Sequence, residues 1–311
     1  MKPSIRLCLT FASSVLLVSA LLALGQENPK NQKATPIGTP VLWQEPSDGA
    51  TRNLYLGPGG EAMKPSLNKV AFIEEKESAD AAKFRVRDGA GREWVVKAGG
   101  EAQAEVAASR IVWAVGYHID VSYLVPNVEI EGKGTFQNAR FEARMKGVKR
   151  LDEWLWDDNV FSGTRELQGL KVLLALLDNW NLKNENNKIL FVSNDEARSS
   201  ELLYIVSDFD TKFDKSGASP GLWHATKEVG RKAKFIDNVK GNIVDFGYGG
   251  RHKERLAGIT VDQAKWMGAL LGRLSAQQIR DALRAANYSG EEVQVLEKTL
   301  RSRIDELLSL K

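Results

Sequence analysis

The segment from Glu166 to Asp210 constrains the chain most. Leu167, Leu170, Val172, Leu173, Leu174, Leu176 and Leu177 crowd the stretch Glu166–Leu177 and predict a helix apolar on nearly every side. That helix runs directly into a polar, asparagine-rich run, Asp178-Asn179-Trp180-Asn181-Leu182-Lys183-Asn184-Glu185-Asn186-Asn187. Two short apolar strands follow, Lys188–Val192 and Leu202–Val206, and the second delivers Ser207-Asp208-Phe209-Asp210. Read alone, the asparagine run suits a surface loop and Asp208 a turn former. Their position between a buried helix and a hairpin favours a site.

Upstream, the pattern is β. Lys69–Glu75 reads as a short strand, Phe84-Arg85-Val86-Arg87 alternates, Asp88-Gly89-Ala90-Gly91 is a turn, and Glu93–Lys97 is the second strand of that hairpin. Lys97 thus ends an apolar strand. Gly99-Gly100 breaks the chain, and Glu101–Val115 has helical spacing, stopped at Gly116, with Glu105 one turn after Glu101. Val121–Val128 contains Pro126 and suits an edge strand or a connector. Residues 131–145 read as another β pair. Beyond residue 150 the chain reads as mostly helical, closing with Thr260–Leu274, Ser275–Ala286 and Ser289–Leu310. Ser275 with Gln278, and Ser289 with Glu292, are capping-box pairs. The expected architecture is α+β and two-lobed: a linker over 26–40, a β-rich lobe over 41–130, and a mainly helical lobe over 131–311.

Composition narrows the function. With 43% hydrophobic and 27% charged residues the chain is ordinary for a folded protein. A net charge of +3, with no basic run interleaved with aromatics, argues against nucleic acid as partner. One cysteine and three histidines leave no disulfide framework, zinc ribbon or Cys/His nucleophile pair. His118, His224 and His252 share no metal spacing. Trp113, Trp154, Trp156 and Trp266 read as core anchors. The basic stretch Lys227–Lys234 reads as a solvated helix or loop, with reception of an acidic substrate as the functional alternative.

At the start, Lys2 and Arg6 precede the apolar stretch Leu7–Leu24, and Ala23 and Gly25 occupy the small-residue positions before a polar segment. A cleaved secretory signal over 1–25 is expected, hence a periplasmic or secreted protein. An uncleaved segment would be a membrane anchor.

The order of strand lysine, helix glutamate, polar loop and strand-end aspartate resembles the protein-kinase-like superfamily. Aligned with the kinase loop H-R-D-L-K-P-E-N, Asn179–Asn186 reads N-W-N-L-K-N-E-N, and Ser207–Asp210 resembles the D-F-G segment with Asp210 in place of glycine. The helix Glu105–Gly116 followed by Pro126, and the compact second half, look more like the HipA-like and phosphatidylinositol-kinase-like branches. The resemblance covers roughly residues 65–215. It implies ATP and Mg²⁺ as cofactors, Lys97 and Glu105 as the cofactor-binding pair, with Lys97 on the phosphates and Glu105 holding its ammonium, and Asn186 and Asp208 as metal ligands. It implies a phosphoryl transfer to a hydroxyl of a protein, lipid or small molecule.

Two departures stand out. The position of the catalytic base is Asn181, and an amide does not accept a proton at neutral pH. Asp178, one helical turn earlier, is the alternative base. No glycine lies in Lys76–Ala82, where a phosphate-cradling loop belongs; Leu56-Gly57-Pro58-Gly59-Gly60 lies upstream and reads as a turn. The chain is therefore expected to be a phosphotransferase, a non-catalytic binding or scaffold protein on the same fold, or a different nucleotidyl or phosphoryl transfer enzyme.

Overall fold

A computed structural model describes residues 36–76, 82–99, 101–194, 199–209 and 234–311. The leader at 1–25, Asp210, His224 and residues 227–233 of the basic stretch lie outside them. The first strand is β1 (Thr39–Val41), followed by β2 (Ala71–Glu75), β3 (Ala82–Arg87) and β4 (Glu93–Ala98). Then come α1 (Glu101–Ala114), β5 (Ser122–Ile130), β6 (Gly134–Ala143) and β7 (Val148–Arg150). The second half holds α2 (Arg165–Leu176), β8 (Asn187–Asn194), β9 (Ser199–Val206), β10 (Ile236–Lys240) and β11 (Ile243–Phe246). It closes with α3 (Val261–Gly272), α4 (Ala276–Ala285) and α5 (Gly290–Leu308).

An antiparallel five-stranded sheet of order β2-β3-β4-β6-β5 carries the β-rich part. The expected hairpin is β3–β4, and its turn is organised by Asp88. That buried carboxylate accepts from the backbone N–H of Ser66, Ala90 and Arg92 and from Trp94 Nε1, at 2.9–3.1 Å. The period-two alternation gives the sheet two unlike faces. Phe84, Val86, Trp94, Val96, Ala139 and Phe141 build an apolar cluster on one. Lys83, Arg85, Lys97, Arg140 and Glu142 stand on the other. β5, with Pro126, is an edge strand, where a missing N–H costs no ladder bond.

The lobe boundary expected after residue 130 falls at the end of β5; beyond the turn Glu131–Lys133, β6 pairs with both β4 and β5. The sheet therefore runs to Ala143, because Ala139 and Phe141 are buried only when β6 lies inside it. Thr39 and Pro40, at the end of the segment expected as a linker, belong to β1, which pairs in parallel with β9. The second half holds more β structure than expected: a four-stranded sheet of order β1-β9-β8-β7, and the β10–β11 hairpin.

Helix α1 is buried on nearly every side, from Ala104 to Val112. It ends at Gly116, whose φ of +103° and position 2.2 Å (for an added Cβ) from the Gln44 carbonyl exclude other residues. Thr260, Ser275 and Ser289 each close a capping box, with Gln263, Gln278 and Glu292. Leu167, Leu170, Leu173 and Leu174 of α2 and Leu296, Leu300 and Ile304 of α5 share one large core. Among the described residues no helix is long and apolar enough to cross a membrane.

Candidate active site

The lysine at the end of β4 is the centre of the site. Lys97 Nζ lies 2.5 Å from Glu105 Oε1, 3.1 Å from Glu101 Oε2 and 3.8 Å from Asp208 Oδ1. Strand end, helix and second strand end therefore converge on one ammonium. Burial alone would lower the pKa of Lys97; Glu105 and Asp208 outweigh it, so the pKa is raised and the ammonium stays charged. Glu105 is 1% exposed. Its burial pushes the carboxyl up to about 7, against the pull of Arg140 and Lys97. Arg140 Nη1 approaches Glu105 Oε2 to 2.7 Å as an ion pair without the alignment of a hydrogen bond.

Asp208 is reached through the ladder of β8 and β9. The Asn186 carbonyl accepts from Ser207 N at 2.7 Å and from Asp208 N at 3.3 Å, which fixes the two residues side by side. Asn186 itself is buried at 5% exposure and donates through Nδ2 to the Asn181 carbonyl at 3.4 Å. The Asp208 side chain is about a third exposed, at 35%. The Asn179–Asn187 loop is held internally and from outside. Asn179 Oδ1 accepts from Asn181 N at 3.0 Å, Asn184 Oδ1 accepts from Trp156 N at 3.1 Å, and Asn187 Nδ2 donates to the Trp154 carbonyl at 3.0 Å. Leu182 anchors it in the core. Asn181 Oδ1 is buried with no partner among the described residues.

Asp178 points elsewhere. Its Oδ1 accepts from Arg303 Nη1 of α5 at 2.9 Å, and the same nitrogen donates to the Leu176 carbonyl at 2.6 Å. Asp178 stands in the left-handed region at φ 53°, just past the end of α2. Burial raises its pKa and Arg303 opposes the rise. The carboxylate proposed from sequence as an alternative base is thus bound to an arginine on the last helix.

Several polar residues of the site were not singled out in the sequence. Arg140 also pairs with Glu142 at 2.9 Å. Arg150 donates to Asp120 Oδ1 at 2.5 Å and to Ser207 Oγ at 2.6 Å, while Ser207 Oγ donates to Asp120 Oδ2 at 2.7 Å. This chain of contacts steadies the residue immediately before Asp208. The visible signal was the charge alternation Arg140-Phe141-Glu142, which on a strand puts both charges on one face.

The donor set fits a magnesium–phosphate complex. Asp208 and Asn186 offer one carboxylate and one amide, and among the described residues no three His, Cys, Asp or Glu side chains form a metal cluster. Mg²⁺ suits so sparse a protein site, because it keeps several waters and takes phosphate oxygens as remaining ligands. The raised, charged Lys97 beside it suits a phosphate oxygen.

The fold is α+β, and Lys97, Glu105, Asn186 and Asp208 follow one another in the order that the kinase-like resemblance implies. No protein-family model matches the sequence, and no curated protein matches it. Among solved structures the chain is similar to the Helicobacter pylori proinflammatory kinase CtkA, at 12% identity and TM-score 0.49, covering 78% of this chain and 96% of that one. It is also similar to the Golgi casein kinase, at 9% identity and TM-score 0.38 over 86% and 77% of the two chains. A third is the Rio2 kinase–ADP/Mg²⁺–phosphoaspartate complex from Chaetomium thermophilum, at 12% identity and TM-score 0.32 over 77% and 72%. Each score lies below 0.5, and the functional reading rests on the geometry of the site.

Proposed function

We propose that the chain is a kinase-like phosphotransferase that takes Mg²⁺–ATP as donor. The observation that carries the reading is Lys97, held at 2.5 Å by Glu105 and at 3.8 Å by Asp208. Lys97 and Glu105 come from a strand and the helix that follows it, eight residues apart, and Asp208 from a second strand end more distant in sequence. A lysine fixed in this way is a preorganised counter-charge for phosphate oxygens. Asp208 and Asn186 would hold the metal, which when bound neutralises charge on the transferred phosphoryl group. Glu105 keeps the ammonium in place, and Arg140 keeps Glu105 in place.

In the kinase-loop alignment Asn181 takes the position of the catalytic base, and an amide takes no proton. This favours a slow enzyme that relies on charge neutralisation and positioning. It equally supports a second reading, a kinase-like binding or scaffold protein that holds nucleotide without turnover. The acceptor class, export of the chain and the HipA-like branch belong to the same proposal and rest on the sequence.

Calorimetry with Mg²⁺–ATP on wild type and Asp208→Ala, with a phosphotransfer assay on wild type and Asn181→Asp, tests both. Binding by wild type that is lost in Asp208→Ala supports the nucleotide site. A rate gain in Asn181→Asp, toward the low end of the ~10²–10⁴-fold typical of positioned acid–base groups, identifies an enzyme limited by its missing base. Binding with no transfer in either form favours the scaffold. No binding by folded wild type refutes both nucleotide readings.

A further inference from the structure

One row on the charged face of the five-stranded sheet is not absorbed by the site above. In the sheet register Lys83 of β3 lies directly opposite Lys97 of β4, and Lys97 lies directly opposite Arg140 of β6. Directly opposed residues on antiparallel strands share a face, with Cβ atoms ~4.5–5.5 Å apart. Three cations therefore stand in line across three strands, and like charges so placed repel. Such a row is tolerable only where anions lie over it.

The anions are unevenly spread. Arg140 has Glu105 and Glu142, and Lys97 has Glu101, Glu105 and Asp208. Lys83 forms no ion pair with any described residue. It is nevertheless partly buried, on the same face of the sheet as Lys97, which Asp208 Oδ1 approaches to 3.8 Å. Burial lowers its pKa, with Glu142 and Asp208 pulling the other way. The segment leading into β3, Lys76–Ala82, contains no glycine, so close backbone wrapping around a phosphate is not encoded there.

We propose that Lys83 is a second phosphate-binding cation, which together with Lys97 grips the polyphosphate of the nucleotide and supplies the counter-charge that a glycine-rich loop would otherwise provide. The inference rests on the nucleotide reading above and assigns a residue that the resemblance does not carry. A side-chain cation neutralises phosphate charge as a point charge and requires no glycine.

The test is calorimetry on the full chain as wild type, Lys83→Met and Lys83→Arg, with Mg²⁺–ATP, adenosine and inorganic tripolyphosphate as probes. Thermal melts establish that each variant is folded. A charged hydrogen bond lost to phosphate predicts ~10–100-fold weaker Mg²⁺–ATP binding in Lys83→Met, with adenosine unchanged and most affinity kept in Lys83→Arg. Equal Mg²⁺–ATP affinity in wild type and Lys83→Met overturns the proposal while leaving the nucleotide reading intact. Tripolyphosphate binding that depends on Lys83, with no binding of ATP beyond it and none of adenosine, keeps the anion site and sinks the nucleotide reading. Failure of wild type to bind any of the three probes overturns both.

Discussion

Replacing Arg303 by methionine separates the structural from the catalytic account of Asp178. The guanidinium serves two acceptors from one nitrogen, the Leu176 carbonyl at 2.6 Å and Asp178 Oδ1 at 2.9 Å. The second oxygen of Asp178 is buried with no partner among the described residues, so nothing described there would replace the lost cation. Removing one partner of a buried pair typically costs ~3–5 kcal/mol. The Asp178 side chain retains 22% exposure, which places the cost near the lower end. At roughly 2–4 °C per kcal/mol for a chain of about this size, the melting temperature should fall by about 6–12 °C at pH 7.5.

The sign of the pH dependence follows from burial. Asp178 already titrates above its ordinary 3.8 in the folded protein because burial disfavours its charge. The folded state therefore binds the proton more tightly than the unfolded chain, and the stability drawn from this group falls as pH rises from 3.8 through the folded pKa. Without Arg303 that pKa climbs further. The variant's deficit should then shrink at pH 5, where the carboxyl is closer to neutral, leaving mainly the unsatisfied Leu176 carbonyl at ~1–3 kcal/mol. Urea midpoints at pH 5 and 7.5 measure this. A deficit that is the same at both pH values would refute the burial argument. Phosphotransfer abolished in a fully stable Asp178→Asn variant would restore Asp178 as the base.

Two further outcomes follow from packing and capping. Gly169→Ala on α2 brings a methyl to 2.3 Å from the Trp266 ring, so the overpacking should cost ~1–3 kcal/mol, read as a lower urea midpoint; an unchanged midpoint would mean that the Trp266 ring turns aside freely. Ser275→Ala removes the acceptor for Gln278 N at 3.1 Å and with it the capping box of α4, for a loss of ~1 kcal/mol in thermal unfolding; no loss would assign the start of that helix to packing alone.

Local order was legible before any fold was known. The β3–β4 hairpin was written in the alternation around Asp88–Gly91, α1 in its spacing up to Gly116, and α4 and α5 in Ser–x–x–Gln/Glu pairs. Each is governed by contacts within a few residues, where periodicity and hydrogen-bonding groups act directly. The order of Lys97, Glu105, Asn186 and Asp208 along the chain likewise suggested one site. Tertiary structure alone decided the 3.8 Å between Lys97 and Asp208, and the parallel pairing of Thr39–Val41 with β9. It also decided that β6 lies between β4 and β5, which opposes Arg140 to Lys97 and turns the row Lys83-Lys97-Arg140 into one charged surface. Asp178 shows the limit most clearly, since its neighbours in sequence favoured a loop carboxylate and its partner sits on α5. Strand order and the direction of a polar side chain depend on which distant surface closes over them, and the energy of that closure is not carried by any local pattern.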